Sequence, residues 1–589
     1  MKALTPIAAA MFVVTSINTF ANNNTAILFQ VGDGNMAATD QSDPTIQNNL
    51  ITQTQIGNSN DSDASQATGT SDSVMTNLQV GEFNRSTFSQ RENTKLSSTY
   101  IYQVGSMNQA FSGQLLVVAS SSLINQEGAF NLANVSKFNS ISSSVLINQV
   151  GFMNRSSVEQ FNSTSSSALS NQVGSMNVII DIDQSRVVAS SGLIHQKGSM
   201  NRAILEQSMT TGSSSFINQT GSMNEVDTIQ INAIASDILI NQIGSMNLAR
   251  ARQFDTTASR DLINQTGSMN EATVEQFTIT ASLALVNQLG SMNHAELIQE
   301  SDVVSSFSNI NQVGSENSAT LGQRLVVGSS AASINQLGHS NDSRIDQKEE
   351  TFFSLAAINQ AGVSNFAQLD QGEGVTFGFA IIDQTGSINN AAIEQADGVV
   401  NSSSTNIQVG DMNTAFIEQE GEVIASSADI IQIGSKNFAF LEQSEDVAGS
   451  GAIFSLASIN QLGTDNSALL DQGRNGLVTS SIAIINQDGT MNSAILDQDN
   501  AVASNALVNQ IGFNNMSTVD QDIVLASNIF VLQIGSLNVT EIMQIDSSFS
   551  NAVVTQIGIS NENTISQTND GQSAFVTQLG ATNVGTVFQ

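Results

Sequence analysis

The chain has 589 residues and a formal net charge of −35, from 52 acidic and 17 basic side chains, with no cysteine, no tryptophan, 2 prolines and 42 glycines. Disulfides and thiol chemistry are excluded, the charge argues against binding nucleic-acid phosphates, and the aromatic content is too low for a conventional aromatic-rich core. Length alone would suggest several domains, an inference that lapses when a chain is built from repeats.

In chain order, the first element is MKALTPIAAAMFVVTSINTFA, residues 1–21. Lys2, the apolar run from Ile7 to Val14 and Thr19-Phe20-Ala21 ahead of a polar Asn run read as a secretory signal peptide cleaved after Ala21. That run is too short to span a bilayer and no later stretch reaches the roughly 18 apolar residues that a membrane helix needs, so residues 22–589 are expected to be exported without membrane insertion.

From there one pattern recurs. Aligned on Gln-x-Gly-x-x-Asn, 24 units begin at Gln30 and end with the unit of Gln578, mostly 23 or 24 residues apart. A second Gln follows the Asn by six residues in nearly every unit, from Gln41 to Gln589; one unit has Lys137 there, and another has the residue displaced by one, at Gln184. Early units are less regular, with Gln53 and Asn77 where Ile is usual. Ser lies six residues before the first Gln, as at Ser120, Ser143 and Ser190, and Ile or Val lies two before it. After the turn come Asn, then Ala or Ser at plus two, a branched apolar residue at plus four and Gln at plus six.

Both halves alternate with period 2, which predicts two strands per unit; the three- and four-residue steps of a helix are absent. A seven-residue strand, a four-residue turn, a second seven-residue strand and a five-residue turn account for the 23-residue period. Such a unit cannot bury its inner face alone, so the predicted fold is all-β, a cross-β solenoid of stacked strand-turn-strand coils about 4.8 Å apart. Two dozen coils at that rise predict a rod of about 115 Å.

Stacking explains the amides. An unpaired buried amide costs about 1–3 kcal/mol, whereas identical amides in register satisfy one another, donor to acceptor. The expected ladder comprises Gln126, Asn131, Gln149, Asn154, Gln160, Gln196, Asn201, Gln207, Gln219, Asn224, Gln230, Gln242, Asn247, Gln253, Gln265, Asn270 and Gln276. Gly198, Gly221, Gly244, Gly267 and Gly290 supply the positive φ of the turn. Ile194, Leu205, Ile217, Ile240, Ile263 and Val274 are the expected apolar core, each worth about 1.5–3 kcal/mol when buried.

Ser-x5-Gln-x-Gly-x2-Asn-x-Ala-x3-Gln resembles the curlin repeat of bacterial curli subunits, and the likeness covers essentially all of Asn24 to Gln589. Curlin subunits have a handful of repeats where this chain has two dozen. The resemblance implies a secreted, extracellular functional amyloid: a subunit that polymerises with itself into a cell-surface fibre supporting adhesion and biofilm matrix. It also implies a nucleator subunit and an outer-membrane export pore as partners, with no nucleic acid among them. A stacked end is in any case a template for a second molecule. Neither terminus reads as a cap, the last unit stopping on its ladder Gln589. The alternative is a non-polymerising surface adhesin.

Two columns are expected to face outward. Five residues after the Asn, eight consecutive units carry an acid: Asp346, Asp370, Glu394, Glu418, Glu442, Asp471, Asp497 and Asp520. Repulsion along it, about 0.9 kcal/mol per neighbouring pair in water, would keep monomers soluble until protons or divalent cations neutralise it; a plain solvated face is the competing reading. Three residues before the first Gln run Leu123, Leu146, Leu169, Leu193, Phe216, Leu239, Leu262 and Leu285, an apolar stripe for lateral bundling or for cover by a long turn.

Nothing points to an enzyme, a cofactor or a metal site. His195, His294 and His339 have no Ser or Cys partner beyond the repeat background, and the calcium-binding nonapeptide is missing. The longest interruption, Glu445 to Ser455, is mainly small and apolar, unlike the catalytic loops of solenoid lyases.

Overall fold

A β-branched or small residue at every second inner place, with Gly at one corner, leaves the chain little choice but to turn back on itself at fixed intervals. The computed structural model describes residues 12–14, 23–443 and 451–589, and among them finds strands and turns but no helix. Apart from Phe12–Val14, which pairs antiparallel with Thr25–Val31, the expected leader lies outside the described residues. So does 444–450, most of the predicted interruption.

Contacts divide the chain into two units, 1–281 and 282–589. Each is a parallel β-solenoid with two strands per coil. In the first unit a representative coil runs Ser191–Ser199, Arg202–Ser208, and the next runs Ser214–Ser222, Glu225–Ile231. The leading strands of successive coils pair with one another in parallel, and so do the return strands: Ile194 lies beside Ile217, Gln196 beside Gln219, and Gln207 beside Gln230. In the second unit Gln312 lies beside Gln336 and Gln323 beside Gln347 in the same way. Identical residues therefore meet at these rungs, the condition that amide stacking requires.

The leading strand is longer than the expected seven residues. It has nine, running through the Gly and one residue beyond, so the turn into the return strand shortens to two residues. Gly198 holds φ +121°, and a Cβ built there would stand 2.0 Å from the carbonyl oxygen of Gly221 in the next coil. The corner thus needs glycine twice over, for its backbone angle and for the approach of the coil above.

The five-residue connection is also more than a turn. Met209 and Gly212 in left-handed conformation bracket an inward Thr210 and a backbone bridge from Thr211 to Ile234. The equivalent inward places, Val117, Ser140, Ser163, Val187, Ala233 and Thr256, are all buried, so a third column closes the core. In the second unit Val375, Val399 and Val423 form the same column as an apolar cluster.

Ile194, Leu205, Ile217, Ile240, Ile263 and Val274 are all fully buried, as their spacing required. The displaced Gln184 is accommodated by a one-residue bulge: pairing shifts between Ser156 and Val158 on one side and between Ile179 and Asp181 on the other, after which Gln184 rejoins its column. The irregular early coils place Gln53 and Asn77 inward as well, each with a buried side-chain oxygen that has no partner.

Candidate functional site: stacked amide columns and the faces beside them

Strand alternation turns the first Gln of each coil inward, and register places it over its counterpart. In the first unit Gln126 Nε2 donates to Gln149 Oε1 at 2.8 Å, Gln149 to Gln172 at 2.8 Å, Gln196 to Gln219 at 2.8 Å, Gln219 to Gln242 at 2.9 Å and Gln242 to Gln265 at 2.8 Å. The second N–H of each amide crosses the coil to a return-strand carbonyl, as from Gln126 to Gln109 O at 2.9 Å. The return-strand column behaves alike: Gln160 to Gln184, Gln207 to Gln230 and Gln230 to Gln253 at 2.8 Å, and Gln253 to Gln276 at 3.1 Å. In the second unit the two columns run from Gln288 and from Gln299 with the same bonds.

The asparagines stack in the opposite sense. Asn131 Nδ2 donates back to Asn108 Oδ1 at 3.0 Å, its backbone N–H reaches the same oxygen at 3.1 Å, and Nδ2 also donates forward to Gly151 O at 3.1 Å. Asn154, Asn201, Asn224, Asn247 and Asn270 repeat the backward bond at 3.0–3.1 Å. The glutamine columns thus donate toward later coils and this inner asparagine column toward earlier ones, so their side-chain dipoles oppose and partly cancel. Every amide expected in the ladder is buried to within 1% of full enclosure.

Gly198, Gly221, Gly244, Gly267 and Gly290 have φ between +121° and +128°, and for Gly198, Gly221, Gly244 and Gly290 a Cβ would fall 1.8–2.0 Å from the next glycine's oxygen. The motif serines form a further column: Ser143 N–H donates to Ser120 Oγ at 3.0 Å.

Lys137 breaks the return column. Its ammonium, fully buried, donates to the carbonyls of Ser121 and of Ser143, the latter at 2.9 Å. Gln114 above it turns to Ser98 O and Ser122 Oγ, and the Oε1 of Gln160 below it is left without a donor. Burial lowers the Lys137 pKa to about 7. Asp261 is a second buried ionisable side chain, at a place held by Ser215 and Ser308 elsewhere; burial raises its pKa well above the carboxylate range, which keeps it protonated, and Gln253 opposes that shift.

The outer faces differ from expectation. The Leu123-to-Leu262 stripe is half-buried rather than exposed, because each side chain lies between large apolar or aromatic neighbours at the coil spacing, as Leu146 does between Leu123 and Leu169. Beside it an outward asparagine column stacks as a fourth amide ladder: Asn125 to Asn148 and Asn148 to Asn171 at 2.9 Å, and Asn241 to Asn264 at 3.0 Å. The recurrence of Asn just before the first Gln was the available signal. Leu123, Asn125, Leu146, Asn148 and Leu169 line a shallow groove there.

The acidic column is likewise not an open face. Its members are in register from Asp346 to Asp520, yet Asp346 and Glu442 are buried and most of the others half-buried. Burial, reinforced by the charges of Glu442, Asp497 and Asp499, raises the Asp471 pKa to about 8 against the opposing charge of Arg474. Burial with Asp499, Asp520 and Asp522 raises that of Asp497 to about 7, again opposed by Arg474.

His195 occupies the outer asparagine column, its Nδ1 2.8 Å from Asn171 Nδ2. The serine that His339 meets belongs to the repeat background: Nδ1 lies 2.8 Å from Ser315 Oγ, and Nε2 lies 3.5 Å from Glu316. The pairing joins turns of adjacent coils, which no linear spacing reveals. The His339 and Glu316 side chains are 47% and 48% exposed, so water competes at each contact of this open turn.

No family model matches the chain, and no curated protein sequence matches it.

Proposed function

We propose that this chain is a secreted, non-catalytic structural subunit that stacks end to end on copies of itself to form an extracellular, curli-like amyloid fibre at the cell surface. A nucleating subunit and an outer-membrane export pore are the partners this role calls for, and adhesion and biofilm matrix the uses of the fibre.

One observation carries the reading. The side of any coil facing later coils presents Gln Nε2–H donors and Asn Oδ1 acceptors, and the side facing earlier coils presents the matching Gln Oε1 and backbone N–H groups. A coil from one molecule therefore satisfies a coil from another with the bonds used within a chain. Such a contact is head-to-tail and does not close, which yields a filament rather than a ring.

The test is incubation of purified mature protein with an amyloid dye, followed by fibre diffraction. Fibres with a meridional reflection near 4.8 Å are expected. A protein that stays monomeric at high concentration would overturn the polymer and favour the surface adhesin.

A further inference from the structure

Among the turns of the first unit, six consecutive coils place methionine between the Gly corner and the buried Asn: Met153, Met176, Met200, Met223, Met246 and Met269. All six hold φ between +55° and +58°, a left-handed conformation ordinarily given to Gly, Asn or Asp. All six are 43–46% exposed. Neither propensity nor burial accounts for methionine here, since asparagine would suit both the angle and the water better.

Stacking fixes where the sulfurs fall. Met176 N–H donates to Phe152 O at 2.8 Å, and the Met200, Met223, Met246 and Met269 N–H groups donate to Ser175, Ser199, Ser222 and Ser245 carbonyls at 3.0 Å, so each turn is pinned to the coil before it. Identical backbones then project identical side chains at the coil spacing of about 4.8 Å. Thioethers on flexible three-bond arms at that separation can turn toward a common point between coils. Thioether sulfur is a soft donor that prefers Cu(I) among biological metals, whereas hard divalent ions prefer carboxylate and carbonyl oxygen.

We propose that this methionine column binds soft monovalent metal ions, Cu(I) and its redox-inert analogue Ag(I), between the sulfurs of successive coils. The site lies within one chain, so it stands or falls independently of fibre formation. The net charge of −35 raises the local concentration of any cation, and the sulfurs supply the selectivity.

The test replaces all six with leucine, which keeps the apolar surface and deletes the sulfur. Leu537 already occupies the equivalent turn place at φ 56° and 44% exposure, so the backbone accepts it. Full-length protein and the six-leucine variant are titrated calorimetrically with silver nitrate in chloride-free buffer containing excess calcium to occupy carboxylates. The parent is expected to take up about three more equivalents than the variant, one per pair of sulfurs. Equal uptake by both, or uptake abolished by calcium, overturns the proposal. A second readout needs no variant: dilute hydrogen peroxide converts exposed methionine to sulfoxide, and mass spectrometry is expected to find these six protected when Ag(I) is present. Oxidation at the same rate with and without Ag(I) equally overturns the proposal.

Discussion

A single side chain in a stacked column is judged by its neighbours above and below, and Lys137 shows the consequence. It leaves Gln160 Oε1 unpaired and holds an ammonium in the core, so Lys137→Gln is expected to heal the column and stabilise the protein by about 1–3 kcal/mol. The gain depends on pH. Lys137 titrates at about 7 when folded and near 10.4 when unfolded, so the unfolded chain binds more protons between these values and the parent gains stability as pH rises through them. Thermal unfolding should therefore show the largest advantage of the variant below pH 7, and an advantage that grows with alkalinity would refute the assignment. Glycine at the corner is judged in the same way. Gly221→Ala puts a methyl 1.9 Å from Gly244 O at φ +123°, a clash that parting the coils alone can relieve, and a loss of more than about 3 kcal/mol is expected. These inner roles were legible in the sequence because every one of them repeats. Asp261 was not, since a lone acid at an inner place held elsewhere by Ser or Ile carries no period.

At the level of strands and turns, period-2 alternation located both strands of each coil but misjudged what joins them. The third inward column escaped because a single inward residue in a two-residue stretch between left-handed ones has no alternation to display. The outward columns were found but their partial burial was not: at about 4.8 Å spacing, like side chains shield one another, so a residue that points outward is still half-buried. For the acids this reverses the simple view of a solvated face. Asp471 and Asp497 hold protons to about pH 8 and 7 when folded and release them near 3.9 when unfolded, so stability is greatest in acid and declines as pH rises through the folded values. Hydrogen exchange across Ser467–Gln472 and Ser493–Val502 should slow between pH 8 and 5 after correction for intrinsic rates, and Asp471→Asn with Asp497→Asn should remove that dependence. The leucine stripe makes a separate prediction. Leu146→Ser, Leu169→Ser and Leu193→Ser should leave the 4.8 Å reflection while thinning fibre bundles under electron microscopy; bundles of unchanged width would remove the stripe from lateral association.

Across the molecule, stability is a sum of similar coils and the bonds between neighbours. Removal of residues 219–241, one whole period, joins Asn218 to Gln242 and restores the Ile-Asn-Gln sequence with Gln196 facing Gln242. The melting temperature should change by no more than about 4 °C, whereas removing 12 residues from the same place should disrupt the fold. Spacings between successive first glutamines range from 22 to 29 residues, yet Gln432 still donates to Gln461 and Gln556 to Gln578, each at 2.8 Å. That tolerance has a genetic counterpart: recombination between misaligned copies of the coding repeat would lengthen or shorten the protein by whole periods while preserving every contact. Alleles carrying different numbers of periods should then fold alike, leaving reach as a trait that selection can adjust without first having to repair a core.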